Sequence, residues 1–324
     1  MRGGEGDRVR MVMNNLNWII PLIIFLIISG VYLIPVRKVP FAQQYAKADP
    51  QKVQSLLFFR EKYSPKRIEV DGAKWDYLAM GRGKEIILFL HGMTGSHEIW
   101  WQQMEALQNE YRMVSVTYPP LNSLEKMRTG IWAIMNLEKV DQFSIVGTSL
   151  GGYLAQYLVV RDPNHIRSAV FANTFPPNKI IAEKNKISGL ALPLLPEWLV
   201  INFFRGSFKN SIYPTSGNDE FTLAFLNELS SIHMRKSHML GRFHCVIEPF
   251  MTPDVQSLGI PVMIIESDND PLIESTLREA LRKTYSKASV YTFQHAGHFP
   301  YLNLAKEYTD ALRTFFKNNL PETL

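Results

Sequence analysis

The sequence lacks several features that mark whole classes of protein. Only one of its 324 residues is a cysteine, Cys245, so the chain cannot form an intrachain disulfide or a cysteine-rich zinc site. Its 35 Lys and Arg residues outnumber its 30 Asp and Glu residues by only five. No run of about five or six like charges occurs, so the charge pattern does not favour nucleic-acid binding. Metal-binding and phosphate-binding motifs are absent too. We therefore expect a fold held by its hydrophobic core, with no metal and no other cofactor.

One long uncharged segment is present near the N-terminus. No charged residue occurs from Met11 to Val36, and Trp18 and Tyr32 lie near the ends of the most apolar part. This length and composition are typical of a helix that crosses a bilayer with aromatic anchors at its ends. A cleaved signal peptide is the alternative, because three arginines precede the segment. The sequence thus predicts a single-pass membrane protein whose orientation the flanking basic residues leave undecided.

Beyond a mixed polar connector, short apolar runs alternate with helical patterns. Runs such as Ile86–Leu90 and Phe143–Val146 are apolar throughout, which is typical of strands buried on both faces. The predicted strands are 67–70, 74–80, 86–90, 113–116, 143–146, 169–172, 261–265 and 289–293. The predicted helices among them are 98–109, 124–137, 150–160, 274–284 and 305–316. Such alternation predicts an α/β fold, a mostly parallel sheet with helices on both faces.

The alternation stops between about residues 176 and 259. That segment is rich in Pro, Phe, Leu and Trp and shows only short helical patterns. We expect a helical cap, inserted over the carboxyl edge of the sheet, where open α/β sheets bind their ligands. The predicted organisation is an N-terminal membrane anchor over 1–36, a connector over 37–66 and a main domain over 67–318 that contains the cap.

The clearest chemical motif is Gly147-Thr-Ser149-Leu-Gly151. It follows the apolar strand 143–146 and precedes a helical pattern, which is the context of the G-x-S-x-G nucleophile elbow. Ser149 would lie in a strained strand-to-helix turn, where side chains at either glycine would clash. The sequence predicts Ser149 as a nucleophile and the backbone N–H of Leu150 as one donor to an oxyanion.

A second motif, His91-Gly92-Met93, follows strand 86–90. Acyl transfer needs backbone N–H groups aimed at the negative charge that develops on the carbonyl oxygen. Met93 is the natural second donor, because it lies in the loop that supplies this N–H in comparable sites. His91 is expected to hold the loop in place rather than to take part in catalysis.

A base and an acid come from two later loops. A serine hydroxyl needs a base, and histidine suits this task because its pKa lies near neutrality. His298, just after the last predicted strand, is the predicted base, with His295 as the alternative. Asp270, which follows strand 261–265, is the predicted acid that orients the imidazole, with Asp268 as the alternative.

Taken together, the motifs HGMTGS, GTSLGG, ESDNDPLI and HAGHFPYL resemble the α/β-hydrolase superfamily over residues 67–318. The resemblance implies a cap after strand 169–172 and an acid directly before a Pro-Leu-Ile stretch, which matches Asp270. Ser267 and Asn303 stand where the family usually has glycine and an acidic residue. The segments YPPL, GTSLGGYLAQ and FANTF are similar to the maspardin-like branch. Members of that branch can lack the catalytic histidine, whereas this chain has His298.

The predicted function is that of a serine hydrolase which cleaves a carboxylic ester or related acyl bond, in a small molecule or a lipid, through an acyl-enzyme. Two alternatives have other consequences. One is a non-catalytic binding or scaffold protein with the same fold. The other is an enzyme with the same three residues that cleaves a carbon–carbon or thioester bond, because the pocket and not the triad selects the substrate.

Overall fold

A twisted eight-stranded sheet forms the centre of the fold in the computed structural model, which describes residues 18 and 20–319. The strand order is β1-β2-β4-β3-β5-β6-β7-β8. The pairs β1–β2 and β2–β4 are antiparallel, and all the other pairs are parallel. The strands are β1 (Lys66–Val70), β2 (Ala73–Gly81), β3 (Ile86–Leu90), β4 (Arg112–Thr117), β5 (Phe143–Thr148), β6 (Ile166–Ala172), β7 (Val262–Ser267) and β8 (Ser289–Phe293). The mostly parallel sheet is therefore as predicted.

Helices lie on both faces of this sheet and between β6 and β7. Those in the connector are α1 (Phe41–Gln44) and α2 (Pro50–Lys62). Those between β3 and β6 are α3 (Trp101–Leu107), α4 (Leu124–Leu137) and α5 (Leu150–Arg161). Those between β6 and β7 are α6 (Ile180–Lys184), α7 (Lys186–Ala191), α8 (Glu197–Ser207), α9 (Tyr213–Thr215), α10 (Glu220–Ile232) and α11 (Lys236–Ile247). The last three are α12 (Ser275–Thr284), α13 (Pro300–Asn303) and α14 (Ala305–Asn319).

The sheet separates two hydrophobic layers. Successive side chains of a strand point to opposite faces, so Leu88 packs in one layer and Phe89 in the other, and both are fully buried. The continuous apolar runs of β3 and β5 follow from this burial on both sides. Parallel strands in such a sheet end at one edge, and the loops after β3, β5, β7 and β8 carry the predicted site residues to that edge.

Side-chain caps begin several helices. Ser123 precedes α4 and accepts a hydrogen bond from the backbone N–H of Lys126 at 3.2 Å. Asp49 precedes α2 in the same way, and Asp219 precedes α10. Such caps satisfy N–H groups that have no partner within the helix. The helices α6 to α11 occupy the segment between Ala172 and Val262, in which the sequence predicts the inserted cap, and we call α6–α11 the cap.

The prediction of a membrane-spanning helix, and with it that of a single-pass membrane protein, is wrong. No helix among the described residues is both long enough and apolar enough to cross a bilayer. Residues 20–32 are helical, and the helix ends at Tyr32, whereas the uncharged segment continues to Val36. Pro35 disfavours a helical conformation at Ile34. Residues 1–17 and 19, which begin the predicted anchor, lie outside the described residues.

The end of this helix contacts the cap. Trp198 Nε1 on α8 donates a hydrogen bond to the carbonyl oxygen of Val31 at 2.9 Å, and the Tyr32 hydroxyl donates to the carbonyl oxygen of Leu194. Arg205 on α8 also donates to the carbonyl oxygen of Arg37 at 2.9 Å. These hydrogen bonds attach residues 31–37 to the cap.

Candidate active site

Ser149 lies in a sharp turn between β5 and α5. Its backbone has φ 54° and ψ −120°, a conformation that non-glycine residues rarely adopt and that stores strain. The turn is tight enough to require both neighbouring glycines. A Cβ at Gly151 would lie 2.2 Å from the carbonyl oxygen of Leu90, and one at Gly147 would lie 2.2 Å from the carbonyl oxygen of Gly151. The motif thus folds into the predicted elbow geometry.

The loop after β3 lies directly against this serine. A Cβ built on Gly92 would be 3.1 Å from Ser149 Cβ and 3.6 Å from Ser149 Oγ. His91 is fully buried, and its Nδ1 lies 2.6 Å from the carbonyl oxygen of Gly92. Its Nε2 accepts a hydrogen bond from the backbone N–H of Tyr118 at 3.3 Å, so Nδ1 carries the proton and donates. His91 therefore fixes the peptide between Gly92 and Met93, whose N–H is the predicted oxyanion donor.

The neutral form of His91 suits this role. Burial first, and the charge of Arg242 second, lower the pKa of His91 well below its usual value. A neutral ring with its proton on Nδ1 is the form that can donate to Gly92 and accept from Tyr118 at once.

Asp270 and His298 form a buried pair at the same edge. His298 Nδ1 lies 2.8 Å from Asp270 Oδ2 and 3.0 Å from Oδ1, and the two side chains are 4% and 0% exposed. Asp270 Oδ1 also accepts hydrogen bonds from the backbone N–H groups of Leu272 and Ile273, at 2.9 and 3.1 Å. These bonds fix the carboxylate against His298 Nδ1, where it can accept the imidazole proton.

The two alternative residues lie elsewhere. The side chain of His295 is 85% exposed. The backbone N–H of His295 donates a hydrogen bond to Asp268 Oδ1 at 2.8 Å. The carbonyl oxygen of Asp268 accepts from Arg278 at 2.9 Å. Neither His295 nor Asp268 is hydrogen-bonded to the Asp270–His298 pair in the described part of the chain. The structure thus brings Asp270, rather than Asp268, to the imidazole of His298.

Sequence reasoning gave no role to Asn173, which follows β6 at this edge. Asn173 is 1% exposed, has φ 42°, and its Nδ2 donates a hydrogen bond to Asp270 Oδ2 at 2.9 Å. It therefore holds Oδ2, whereas the backbone N–H groups of Leu272 and Ile273 hold Oδ1. The signal available in the sequence was its position, directly after a predicted strand at the carboxyl edge.

The hydrogen bond expected between Ser149 and His298 is not formed. Within residues 20–319, Ser149 and His298 each have other partners but are not hydrogen-bonded to each other. Ser149 is held through its backbone, because its carbonyl oxygen accepts from the Thr174 hydroxyl at 2.8 Å and its N–H donates to Ala172 at 2.9 Å. In unliganded sites such bonds are often long and tighten only when substrate binds.

One class of α/β enzymes is defined by an open, mostly parallel sheet with three features at its carboxyl edge. These are a serine elbow, a loop that supplies a backbone N–H to an oxyanion, and a His–Asp pair. A family model described as the alpha/beta hydrolase fold matches residues 85–303. The chain belongs to the α/β-hydrolase family.

Comparison with individual proteins agrees with the resemblances seen in the sequence. Maspardin of Danio rerio is 26% identical over 256 residues, which cover 76% of this chain and 80% of maspardin. A pimeloyl-[acyl-carrier protein] methyl ester esterase of Legionella pneumophila is 22% identical over 252 residues, which cover 73% and 97% of the two chains. The crystal structure of a membrane phospholipase A has a similar fold, with a TM-score of 0.62 at 15% identity, and the match covers 93% of this chain and 98% of that chain.

Proposed function

We propose that the protein is a serine hydrolase that cleaves a carboxylic ester, in a small molecule or a lipid. The buried Asp270–His298 pair is the observation on which this proposal rests, because it lies at the same sheet edge as the strained Ser149 turn. A buried imidazole whose Nδ1 is held by a carboxylate has the orientation and tautomer of a general base. The names of similar proteins include esterases and a phospholipase, which supports an ester substrate.

In the proposed mechanism, Ser149 Oγ attacks the carbonyl carbon of the ester while His298 Nε2 takes the hydroxyl proton. Asp270 keeps the imidazolium in place through its bonds to Nδ1. The N–H groups of Met93 and Leu150 receive the negative charge on the former carbonyl oxygen. His298 then gives its proton to the leaving alcohol, and water hydrolyses the acyl-enzyme by the same steps in reverse order.

Labelling with a fluorophosphonate tests the nucleophile. An activated serine displaces fluoride from phosphorus and becomes covalently labelled. The wild-type protein and a Ser144→Ala control should be labelled, because Ser144 lies on the same strand and is hydrogen-bonded to Ser168 at 2.8 Å, away from the site. Ser149→Ala should not be labelled. Equal labelling of Ser149→Ala and wild type would refute the assignment of the nucleophile.

The resemblance to the maspardin-like branch keeps a non-catalytic function as the second candidate, because members of that branch can lack the catalytic histidine. If folded wild-type protein is neither labelled nor active on a panel of p-nitrophenyl esters of increasing acyl length, this second candidate is favoured. Turnover of thioesters or of carbon–carbon substrates in preference to all oxygen esters would instead retain Ser149, Asp270 and His298 and change the substrate class.

A further inference from the structure

The cap contains a fully buried arginine with an unusual set of partners. Arg242, on α11, is 0% exposed. Its Nη1 donates to the carbonyl oxygens of Met93 and Gly95, and its Nη2 donates to that of Tyr118 at 3.1 Å. No carboxylate pairs with it among residues 20–319. Buried charges are costly and are normally paired, so a guanidinium committed to three backbone carbonyls calls for an explanation.

Two of those carbonyls belong to the loop that carries the proposed oxyanion donor. At the Gly92–Met93 peptide, Gly92 O accepts from His91 and from the backbone N–H of Gly95 at 3.2 Å. Arg242 holds the next carbonyls of the same loop, at Met93 and Gly95. The peptide groups on both sides of the Met93 Cα are therefore hydrogen-bonded, which restrains the Met93 N–H. An arginine suits this position because its planar fork reaches several acceptors at once.

The helix that carries Arg242 is itself firmly docked. A Cβ at Gly241 would lie 2.3 Å from the carbonyl oxygen of Leu121, so α11 touches the backbone of the loop after β4. Glu248, at the end of α11, accepts a hydrogen bond from the backbone N–H of Leu124 at 2.8 Å, and the Tyr153 hydroxyl donates to its carbonyl oxygen at 2.8 Å. Arg242 thus extends from a rigid support to the oxyanion loop.

We propose that Arg242 is a positioning residue: from the cap it holds the carbonyls of Met93 and Gly95, and thereby aims the Met93 N–H at the oxyanion. The proposal rests on the proposed hydrolase function. The geometry of such donors matters because catalysis depends on N–H groups that are already in place when charge develops. A displacement of about 1 Å in a catalytic group can cost about 100-fold in rate. The unpaired charge of the guanidinium acts in the same direction, because it favours negative charge nearby.

The test compares Arg242→Met and Arg242→Lys with a matched arginine of the cap. Arg205 on α8 is half-buried, and it donates to Ser230 and Ser231 within the cap and to the carbonyl oxygen of Arg37 rather than to the oxyanion loop. With a p-nitrophenyl ester, Arg242→Met should lower kcat by about 30- to 100-fold and leave KM within about 3-fold. Arg242→Lys should recover part of kcat, because an ammonium keeps the charge but lacks the fork. Arg205→Met should change kcat by less than about 3-fold.

A trifluoromethyl ketone gives a second readout, because its adduct with the serine carries an oxyanion. Its inhibition constant should rise by the same factor by which kcat/KM falls in each variant. Binding of the product alcohol, which forms no oxyanion, should not change. A folded Arg242→Met protein with kcat within about 3-fold of wild type, or with a change in KM alone, would overturn the proposal.

Hydrogen exchange separates failure of this proposal from failure of the proposed function. The Gly95 N–H bonded to Gly92 should exchange faster in Arg242→Lys than in wild type, whether or not the protein turns over esters. If Arg242→Met does not fold, the lysine variant decides: unchanged exchange at residues 93–96 together with unchanged kcat contradicts the proposal. An unlabelled, inactive wild type with faster exchange in Arg242→Lys contradicts the hydrolase function while retaining the structural role of Arg242.

Discussion

At the carboxyl edge of the sheet, backbone geometry places the candidate catalytic residues. The connector and the cap are instead held together by contacts between long side chains. Ser149 is fixed by its positive φ angle and by glycines that admit no side chain. Asp270 is fixed by backbone N–H groups two and three residues further along the chain. These constraints are local, so short motifs are sufficient to encode them.

The connector and the cap instead meet in a cluster of charges around Arg60 on α2. Arg60 donates to both carboxylate oxygens of Glu98, at 2.8 and 2.9 Å, and to both of Glu228, at 3.0 and 2.9 Å. Tyr45 adds a hydrogen bond to Glu228 at 2.6 Å. Glu98 follows the oxyanion loop, and Glu228 lies on α10, so one side chain joins the connector, the site and the cap.

We therefore expect the residues at the sheet edge to determine activity and those of the Arg60 cluster to determine stability. Substitutions at the edge should remove activity and leave the free energy of unfolding nearly unchanged. Substitutions in the Arg60 cluster should lower the free energy of unfolding and leave the elbow intact. Arg242 is the exception, because it belongs to the cap and acts on the edge.

Beyond Ser149 and His298 themselves, the largest effect is expected at the acid. Asp270→Asn should lower kcat by about 10⁴-fold, because an amide cannot hold the imidazole in the tautomer that accepts the serine proton. Asp268→Asn is the matched control two residues away and should stay within about 3-fold of wild type. Ester hydrolysis by the two purified variants checks this prediction, and equal losses would show that the local geometry does not single out Asp270.

The next effect is a loss of stability. Arg60→Met should lower the free energy of unfolding by about 3–5 kcal/mol, because it removes the arginine from the nearly buried Glu98 and leaves Glu228 with its hydrogen bond from Tyr45 but no arginine. Arg67→Met is the control: its ion pair with Asp76 is exposed, so urea unfolding should change little. If both variants unfold at the same urea concentration as wild type, the cluster does not hold the connector to the cap.

A smaller, pH-dependent effect is expected from His97, beside Glu98. Burial lowers the pKa of His97 to about 4, while the charge of Glu98 acts in the opposite direction. An unfolded histidine titrates near 6.5, so the unfolded chain binds more protons between these pH values, and stability falls as pH decreases from about 6.5 to about 4. The loss from His97 amounts to roughly 3 kcal/mol.

Urea unfolding at pH 7 and pH 4.5 measures this loss, with His97→Asn as the comparison. Other histidines, among them the half-buried His233, have lowered pKa values and contribute in the same direction. The substitution should therefore reduce the difference between the two pH values without abolishing it. An identical difference in both proteins would mean that His97 is not held neutral.

Much of the sheet and the site could be predicted because the encoding is local. The strand Ile86–Leu90 packs against apolar layers on both faces of the sheet, and every residue in it is therefore apolar. The G-x-S-x-G motif was predictable because a Cβ on either glycine would lie 2.2 Å from a carbonyl oxygen, so the turn requires glycine at both positions. The N-terminal helix was overestimated because absence of charge says nothing about where Pro35 ends a helix.

The contacts that could not be predicted join residues far apart in the chain. Arg242 and Met93 are 149 residues apart, and Arg60 and Glu228 are 168 apart. Arginine and glutamate are common on protein surfaces, so nothing in their local sequence reveals a buried partner. Asn173 illustrates the same point, because its role depends on Asp270, 97 residues later.

The central claim is that Ser149 and His298 act as one unit, and a double-mutant comparison tests it most directly. The kcat values for p-nitrophenyl ester hydrolysis by Ser149→Ala, His298→Ala and the double variant should be compared with wild type. Each single substitution should lower kcat by about 10⁵- to 10⁶-fold, and the double variant should lose no more than either single one. Losses that multiply in the double variant, or full activity in either single one, would contradict the account.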